Sequence, residues 1–504
     1  MRLDRRYLLR AGGAVALAAG ASVVARAQTM DHAPPAAAPA QSHTPPSAPA
    51  LAGNADYTLR IGTGLIELGP DTTVSTTTYN GQFPGPLLRL TAGQRVVVDI
   101  HNDTDTPEQL HWHGQFLPPD VDGAEEEGTP FVPPHGMRRI AFTPGPAGFR
   151  FYHTHLRAGR DLSRGLYSGQ VGPVYIAPRR EPGAYDREVF LVLKEFSPYL
   201  SRTEMALDFL APTATVPALH AASQAAEIAS LKRGLPQAYN VAYDFFAING
   251  RMLGHGEPIR VQPGERVLFH ILNGSASEIR SLALPGHAFT VVALDGNPVP
   301  RPAKVPVLWL GGAERVSAIV EMNQPGVWVL GDTVDDARRG GLGIVVEYAG
   351  RKGKPQWQKP PAFRWDYRRF AKPAGAAVPA ADEVIELMIA TRNSAQDGFD
   401  QFTINGVPFT MDAPMVRLAR GRRYRLKFHN ATDDIHPLHL HRHTFELTSV
   451  AGAPTAGVMK DVAMLGAFQE MSVDFTADQP GRSLFHCHMQ PHMDYGFMAL
   501  FDCA

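Results

Sequence analysis

The sequence predicts an all-β protein built from three related β-domains, on three observations. Turn formers are abundant, with 47 glycines and 43 prolines among 504 residues, which suits many short strands better than long helices. One pattern of turn, strand, glycine turn, strand and turn occurs three times along the chain. Paired histidines stand two residues apart in four places, the spacing that puts both side chains on one face of a strand.

The elements follow in chain order. Arg5-Arg6-Tyr7-Leu8-Leu9-Arg10 precedes an apolar, Ala/Gly-rich run to about Ala25, and Ala25-Arg26-Ala27 offers a small-residue cleavage site. Residues 1–27 therefore read as an export signal, and the paired arginines resemble a twin-arginine leader. The alternative, a membrane anchor, needs ~20 apolar residues, more than this run supplies. No second run of that length follows, so the mature chain is expected to be periplasmic or secreted, with no membrane span. Residues 28–52 are rich in alanine and proline and read as a linker.

The first repeat holds Tyr79-Asn80-Gly81, Pro86 to Leu90, Gly93, Arg95 to Val98 and Asn102; the second holds Ile248-Asn249-Gly250, Pro258 to Val261, Gly264, Arg266 to Phe269 and Asn273; the third holds Ile404-Asn405-Gly406, Pro414 to Leu418, Gly421, Arg423 to Leu426 and Asn430. A recurrence about every 160 residues divides the chain into domains at 53–180, 181–355 and 375–504. The basic stretch Arg351-Lys352-Gly353-Lys354-Pro355 opens the last connector. Residues 221–231 are Ala-rich without Gly or Pro and predict a helical insertion in the second domain. A plain surface helix is the simpler reading of it; a cover over a substrate site is the other. The formal net charge of -1 argues against a nucleic-acid partner.

Chemistry concentrates in the histidines. His486-Cys487-His488, with His492 four residues on, sets a soft thiolate among imidazoles, ligand chemistry for copper, zinc or iron. In a strand, His486 and His488 face one way and Cys487 the other, so one segment would touch two metal centres. The pairs His111-Trp112-His113, His153-Thr154-His155, His439-Leu440-His441 and His486-Cys487-His488 supply eight imidazoles from the first and third domains. One such pair is often a surface accident; four are not, and a single zinc needs far fewer ligands. His436 stands three before His439 and so faces the other side, with Cys487; His492 would reach in from the following loop. Two histidines and a cysteine make a trigonal blue-copper site. Only Cys487 and Cys503 occur. With Cys487 read as a ligand, Cys503 is a spare thiol; a bridge between them is the alternative.

His111-Trp112-His113-Gly114, His153-Thr154-His155, His436-Pro437-Leu438-His439-Leu440-His441 and His486-Cys487-His488 with His492 together resemble the four copper-binding motifs of the three-domain multicopper oxidases, laccases included. The resemblance extends over the whole mature chain. It implies three cupredoxin-like Greek-key barrels and four coppers per chain. By the family pattern, His436, Cys487 and His492 hold a type 1 copper, and His111 and His439 a type 2 copper. His113, His153 and His488 hold one type 3 copper, and His155, His441 and His486 the other. The second domain, with Leu294-Asp295-Gly296 and Gly312-Ala313-Glu314-Arg315, resembles the family's middle domain and supplies no ligand.

The implied reaction couples oxidation of a small phenolic or metal-ion reductant to reduction of dioxygen to water. His492 is its electron-entry edge, Cys487 its bridge to His486 and His488, and Asp122 a proton-delivering carboxylate; the plain reading of Asp122 is a turn residue before Gly123. Two departures stand out. Many bacterial members carry Glu directly after the last type 1 histidine, where this chain has Met493, then Asp494, which puts a second proton relay in doubt. The axial position falls on Phe497, which cannot ligate, with Met498 one place later as the competing reading; a missing thioether raises the copper potential. His101, His270 and His429 recur at equivalent places and read as structural, while His443 reads as a support for the ligands. Met489 and Met493 read as packing around the type 1 site. The leading expectation is a laccase-like oxidase of phenols and aromatic amines. The alternatives are a cuprous or other metal-ion oxidase in copper tolerance, and a copper-sequestering protein without turnover. A copper nitrite reductase fits poorly, because its usual layout has two such domains.

Overall fold

The computed structural model describes residues 53–159, 161–179, 183–196, 241, 243–393 and 400–504. The signal, the linker and the helical insertion at 221–231 lie outside the described residues. Within them the chain is nearly all strand, arranged in six sheets. Its α-helices are short, Pro119–Asp122, Asp335–Arg339 and Gln490–Asp494. Among the described residues no helix is long and apolar enough to cross a membrane.

The sheets come in three pairs, and the strand order repeats. In the C-terminal pair, a six-stranded sheet runs Asp400–Ile404, Glu383–Asn393, Arg423–Asn430, Glu470–Thr476, Phe445–Val450, Ala453–Lys460. A five-stranded sheet runs Val416–Leu418, Met498–Cys503, Gly481–Cys487, His436–Leu440, Val462–Leu465. The middle pair, six and five strands, has the same order; the N-terminal pair keeps four strands of each sheet. In every pair the first long strand lies parallel to the strand that ends in the repeat's last asparagine: Tyr57–Gly69 on Val96–Asn102, Arg187–Phe196 on Arg266–Asn273, and Glu383–Asn393 on Arg423–Asn430.

The repeat residues explain this recurrence. Asn80-Gly81, Asn249-Gly250 and Asn405-Gly406 all take positive φ, between 52° and 80°, the conformation of a tight I′ turn that Asn-Gly tolerates. Each turn asparagine also substitutes for a missing strand neighbour. Its Oδ1 accepts from Arg60, Val192 or Met388 N–H, and its Nδ2 donates to Thr58, Phe190 or Glu386 C=O. The closing asparagines Asn102, Asn273 and Asn430 brace the next loop through Oδ1, which accepts from the N–H two residues on. In the third copy that loop leads straight into His436.

Alternation along His436–Leu440 and Gly481–Cys487 decides what faces where. The two strands pair antiparallel with Leu438 opposite Cys487 and His439 opposite His486. Leu438, Leu440, Phe485 and Cys487 enter the apolar interior of their barrel, each large apolar side chain contributing about 1.5–3 kcal/mol. His439 and His486 face out of it. In the N-terminal pair, His111–His113 pairs with Gly148–His153 with His111 opposite His153. Trp112 and Tyr152 fill that barrel's interior, so its histidines face outward too.

Candidate metal centre

The outward faces meet, and all eight paired histidines are buried there. His113, His153 and His488 form one triangle, with ring centroids 5.0–5.6 Å apart. His155, His441 and His486 form a second, 4.9–5.2 Å apart. His111 and His439 lie 5.8 Å apart and join the triangles by stacking: His111 on His441 at 4.0 Å, His113 on His439 at 3.8 Å.

Strand spacing accounts for this placement only in part. His111–His113 lies wholly in a strand, but the other strands end at His153, Leu440 and Cys487. His155, His441 and His488 are therefore carried past the strand ends. They stay with their partners because the turns are tied down: His488 N–H donates to Pro437 C=O and His441 N–H to Leu484 C=O. His492 sits in the one-turn helix Gln490–Asp494 rather than in a loop, with Pro491 in its first turn, a position proline favours because no N–H is needed there.

The imidazoles are set up as neutral donors. Nδ1 of His111, His153, His439 and His486 meets a backbone carbonyl at 2.7–2.9 Å, those of Asp122, Thr154, Asp461 and Cys487. Donation from Nδ1 leaves Nε2 as the free lone pair. Nε2 of His111, His113, His153, His155, His439 and His488 is buried without a hydrogen-bond partner. Six orphaned acceptors in one buried space would each cost about 1–3 kcal/mol with no other purpose, so this donor set fits metal ions. Burial pushes His111 down to about 4 and His486 to about 3, and neutral imidazole is the form that ligates.

On the inner face, His436, Cys487 and His492 come together. Sγ of Cys487 is 3.6 Å from Nδ1 of His436 and 3.4 Å from Nδ1 of His492, and the two nitrogens are 3.0 Å apart. Nε2 of His436 is held by the Thr432 hydroxyl at 2.7 Å, itself bonded to Asn430 Oδ1. Burial holds the Cys487 thiol well above its usual range, so a bound cation, which takes the proton's place, suits this set of two imidazoles and one thiol. The Phe497 ring lies 4.9 Å from that of His436 and shares the apolar cluster of Cys487 and Met489. Met498 and Met493 point elsewhere, into a cluster with Ala124, Phe409 and Leu484. Cys487 and Cys503 are both free, and Cys503 Sγ donates to Ala477 C=O.

Asp122 is fully buried beside the cluster, with Oδ2 3.0 Å from His441 Nδ1 and 3.1 Å from His111 Nδ1. Gly123, at φ +107°, allows this; a Cβ there would fall 2.0 Å from Leu110 O. Burial pushes Asp122 up to about 7. Burial, and then the Asp122 charge, push Glu127 well above its usual value, so of the two carboxyls Glu127 keeps a proton more readily. Its Oε1 accepts from Leu484 N–H at 2.6 Å. Glu127 and, at 3.8 Å from His155 Nδ1, Glu126 escaped sequence reasoning. The acidic run Glu125-Glu126-Glu127 directly after Asp122 was the available signal. Asp494 is buried too, but its carboxylate accepts from Ala158 N–H, Gly159 N–H and Gln490 Nε2, fastening the His492 helix to the chain beyond His155. His443 Nδ1 supports His441 through its carbonyl at 3.0 Å. His270 bonds Ser317, and His429 bridges Glu386 and Glu470.

Comparison with known proteins bears on both fold and site. Three family models described as multicopper oxidase match residues 61–181, 220–342 and 380–503. The multicopper oxidase MmcO of Mycobacterium tuberculosis is 31% identical over 99% of this chain and 97% of its own. Two solved structures share the fold. Fet3p, a multicopper oxidase that functions in iron import, gives a TM-score of 0.71 at 18% identity, covering 89% of this chain and 90% of its own. The laccase from Botrytis aclada gives 0.70 at 18%, covering 88% and 87%.

Proposed function

The chain belongs to the multicopper oxidase family, and from that premise we propose that it is a laccase-like enzyme. It oxidises phenolic or aromatic-amine substrates one electron at a time and reduces dioxygen to two waters. It would do so with four coppers per chain, held as the family pattern assigns them. As a copper-dependent oxidoreductase it uses dioxygen as acceptor, and when bound the metals supply one-electron storage for a four-electron reduction. The observation that carries the reading is the juxtaposition at residues 486–488. The Cys487 thiol completes a set with His436 and His492 at 3.0–3.6 Å, while its two chain neighbours point into the eight-imidazole cluster.

Each residue then has a definite task. Electrons from the reductant would enter through His492, which is buried, and Asp434 Oδ2, 3.8 Å from its Nε2, is a carboxylate able to take the phenol's proton. Phe497, whose ring lies 4.9 Å from that of His436, cannot ligate, so a copper held by His436, Cys487 and His492 would lack a thioether from this position, which favours a high potential. Protons for dioxygen come through the carboxyl pair, Glu127 passing its proton to Asp122 at the edge of His441 and His111. Residues 1–27 suit export of the protein to the periplasm or beyond.

The same carboxylate near His492 suits a cationic reductant, which favours metal-ion oxidation as the second reading. Oxygen uptake by copper-loaded protein with a simple phenol and with cuprous ion tests the two. Turnover of the phenol is expected; turnover of the metal ion alone would replace the first reading by the second. No uptake with either would leave a copper-storage protein.

A further inference from the structure

Asp122 has a counterpart across the cluster that sequence motifs do not reveal. Asp122 contacts Nδ1 of His111 from the first domain and His441 from the third. Asp461 does the same for the other stacked pair: its carbonyl accepts from His439 Nδ1 at 2.7 Å, and its Oδ1 lies 3.7 Å from His113 Nδ1. Each aspartate thus lies against one imidazole from each ligand-bearing domain, Asp461 bonding His439 and facing His113 across 3.7 Å, and each of these cross-domain pairs is a stacked one.

The two are anchored differently. Asp122 has a second buried carboxyl, that of Glu127, beside it. Asp461 is gripped by two buried guanidiniums, Arg315 donating from Nη1 and Nη2 to its two oxygens at 2.6 Å and Arg150 from Nη1 at 2.9 Å. Fork-on-fork contact of this kind fixes direction as well as charge. Arg150 comes from the first domain and Arg315 from the second. Behind them Asp295, also of the second domain, accepts the backbone N–H of Asp461 and Val462 at 3.3 and 3.1 Å. Gly114, the residue after the first histidine pair, leaves the space: a Cβ there would stand 2.5 Å from Asp461 Oδ2 and 2.9 Å from Arg315 Nη2.

We propose that Asp461 is a positioning residue for the copper cluster, through which the second domain, lacking ligands of its own, sets the orientation of His113 and His439. Partners that orient a ligating histidine through its second nitrogen typically change metal affinity 10–100-fold when lost. The inference rests on the copper assignment above, and its test is separable from it. Asp461→Asn keeps the shape and removes the charge that Arg315 and Arg150 grip. Asp332→Asn, buried in the second domain and bonded to Val334 and Ser281 rather than to the Asp461 anchor, is the structural control. Copper-loaded full-length variants are read by electron paramagnetic resonance of the type 2 copper and by copper release to a chelator. Copper-free variants are read by thermal unfolding.

Both substitutions are expected to lower the unfolding temperature of the copper-free protein. Only Asp461→Asn should shift the type 2 signal and release cluster copper about 10–100-fold more readily, with the blue type 1 band intact. An unchanged type 2 signal in Asp461→Asn, or an equal change in Asp332→Asn, overturns the proposal. If Asp461→Asn does not accumulate, Asp461→Glu, which keeps the charge and moves it by a methylene, is read by the same criteria. A parent protein that takes up no copper would instead remove the premise.

Discussion

The middle and C-terminal sheet pairs share one strand order, yet among the described residues only the C-terminal one brings two histidines and a cysteine together inside its barrel. Their registers show what was exchanged. Leu438 opposes Cys487 and His439 opposes His486 in one pair; Leu282 opposes Asp332 and Ala283 opposes Gly331 in the other. Arg280 therefore occupies the place of His436, and Asp332 that of Cys487. The match continues beyond the strand, where Asp335–Arg339 stands where Gln490–Asp494 does, with Ala337 in the place of His492 and Leu342 in that of Phe497. In the middle pair the same pocket is closed by a buried arginine facing Glu195 and Glu278 at 3.4–3.8 Å, and the nearby Arg280 charge partly offsets the burial that raises Asp332. One framework thus serves as a metal holder or as a salt-filled strut, depending on four side chains.

Breaking the holder should have the largest effect. Cys487→Ser removes the thiolate, and substrate oxidation should fall to background while the eight imidazoles still take up copper, as metal analysis would show. Loss of all copper would mean that the two sites are not independent. Next in size, Asp122→Asn should slow oxygen uptake by about 10²-fold or more. Reduction of the type 1 centre by substrate, followed as bleaching of its blue band without oxygen, should keep its rate. Breaking the strut should act on stability instead: Arg280→Met strands buried carboxylates and should cost about 3–5 kcal/mol in unfolding, with copper content unchanged. A drop in copper content at full stability would contradict the division between strut and holder. The smallest effect tests the axial position. Phe497→Met should lower the type 1 potential in redox titration, whereas no shift would indicate that Phe497 does not face the metal.

Local repetition made much of this legible in sequence. Asn-Gly at positive φ can be read because few other residues accept that turn, and three copies of it announced three pairs of sheets. The period of two along a strand turned His-x-His into a face, and the odd spacing of His436 into the opposite face. What could not be read depends on docking between distant segments. Asp461 meets Arg150 and Arg315 across 311 and 146 residues, and no local pattern marks any of the three. Glu127 is similar: in sequence a glutamate among glutamates suggests a solvated surface, and only contact with Leu484, 357 residues away, makes it a buried acid. The strand ends at His153, Leu440 and Cys487 were missed for a third reason, since turns preserved the side on which the next histidine falls.

The cluster is divided four and four between segments that lie hundreds of residues apart, and this orders events in the life of the protein. A chain still emerging from the ribosome, or one trimmed before its last strands, owns only half a chelate. A metal ion shared by both halves can therefore be held only after the last strands have joined the fold.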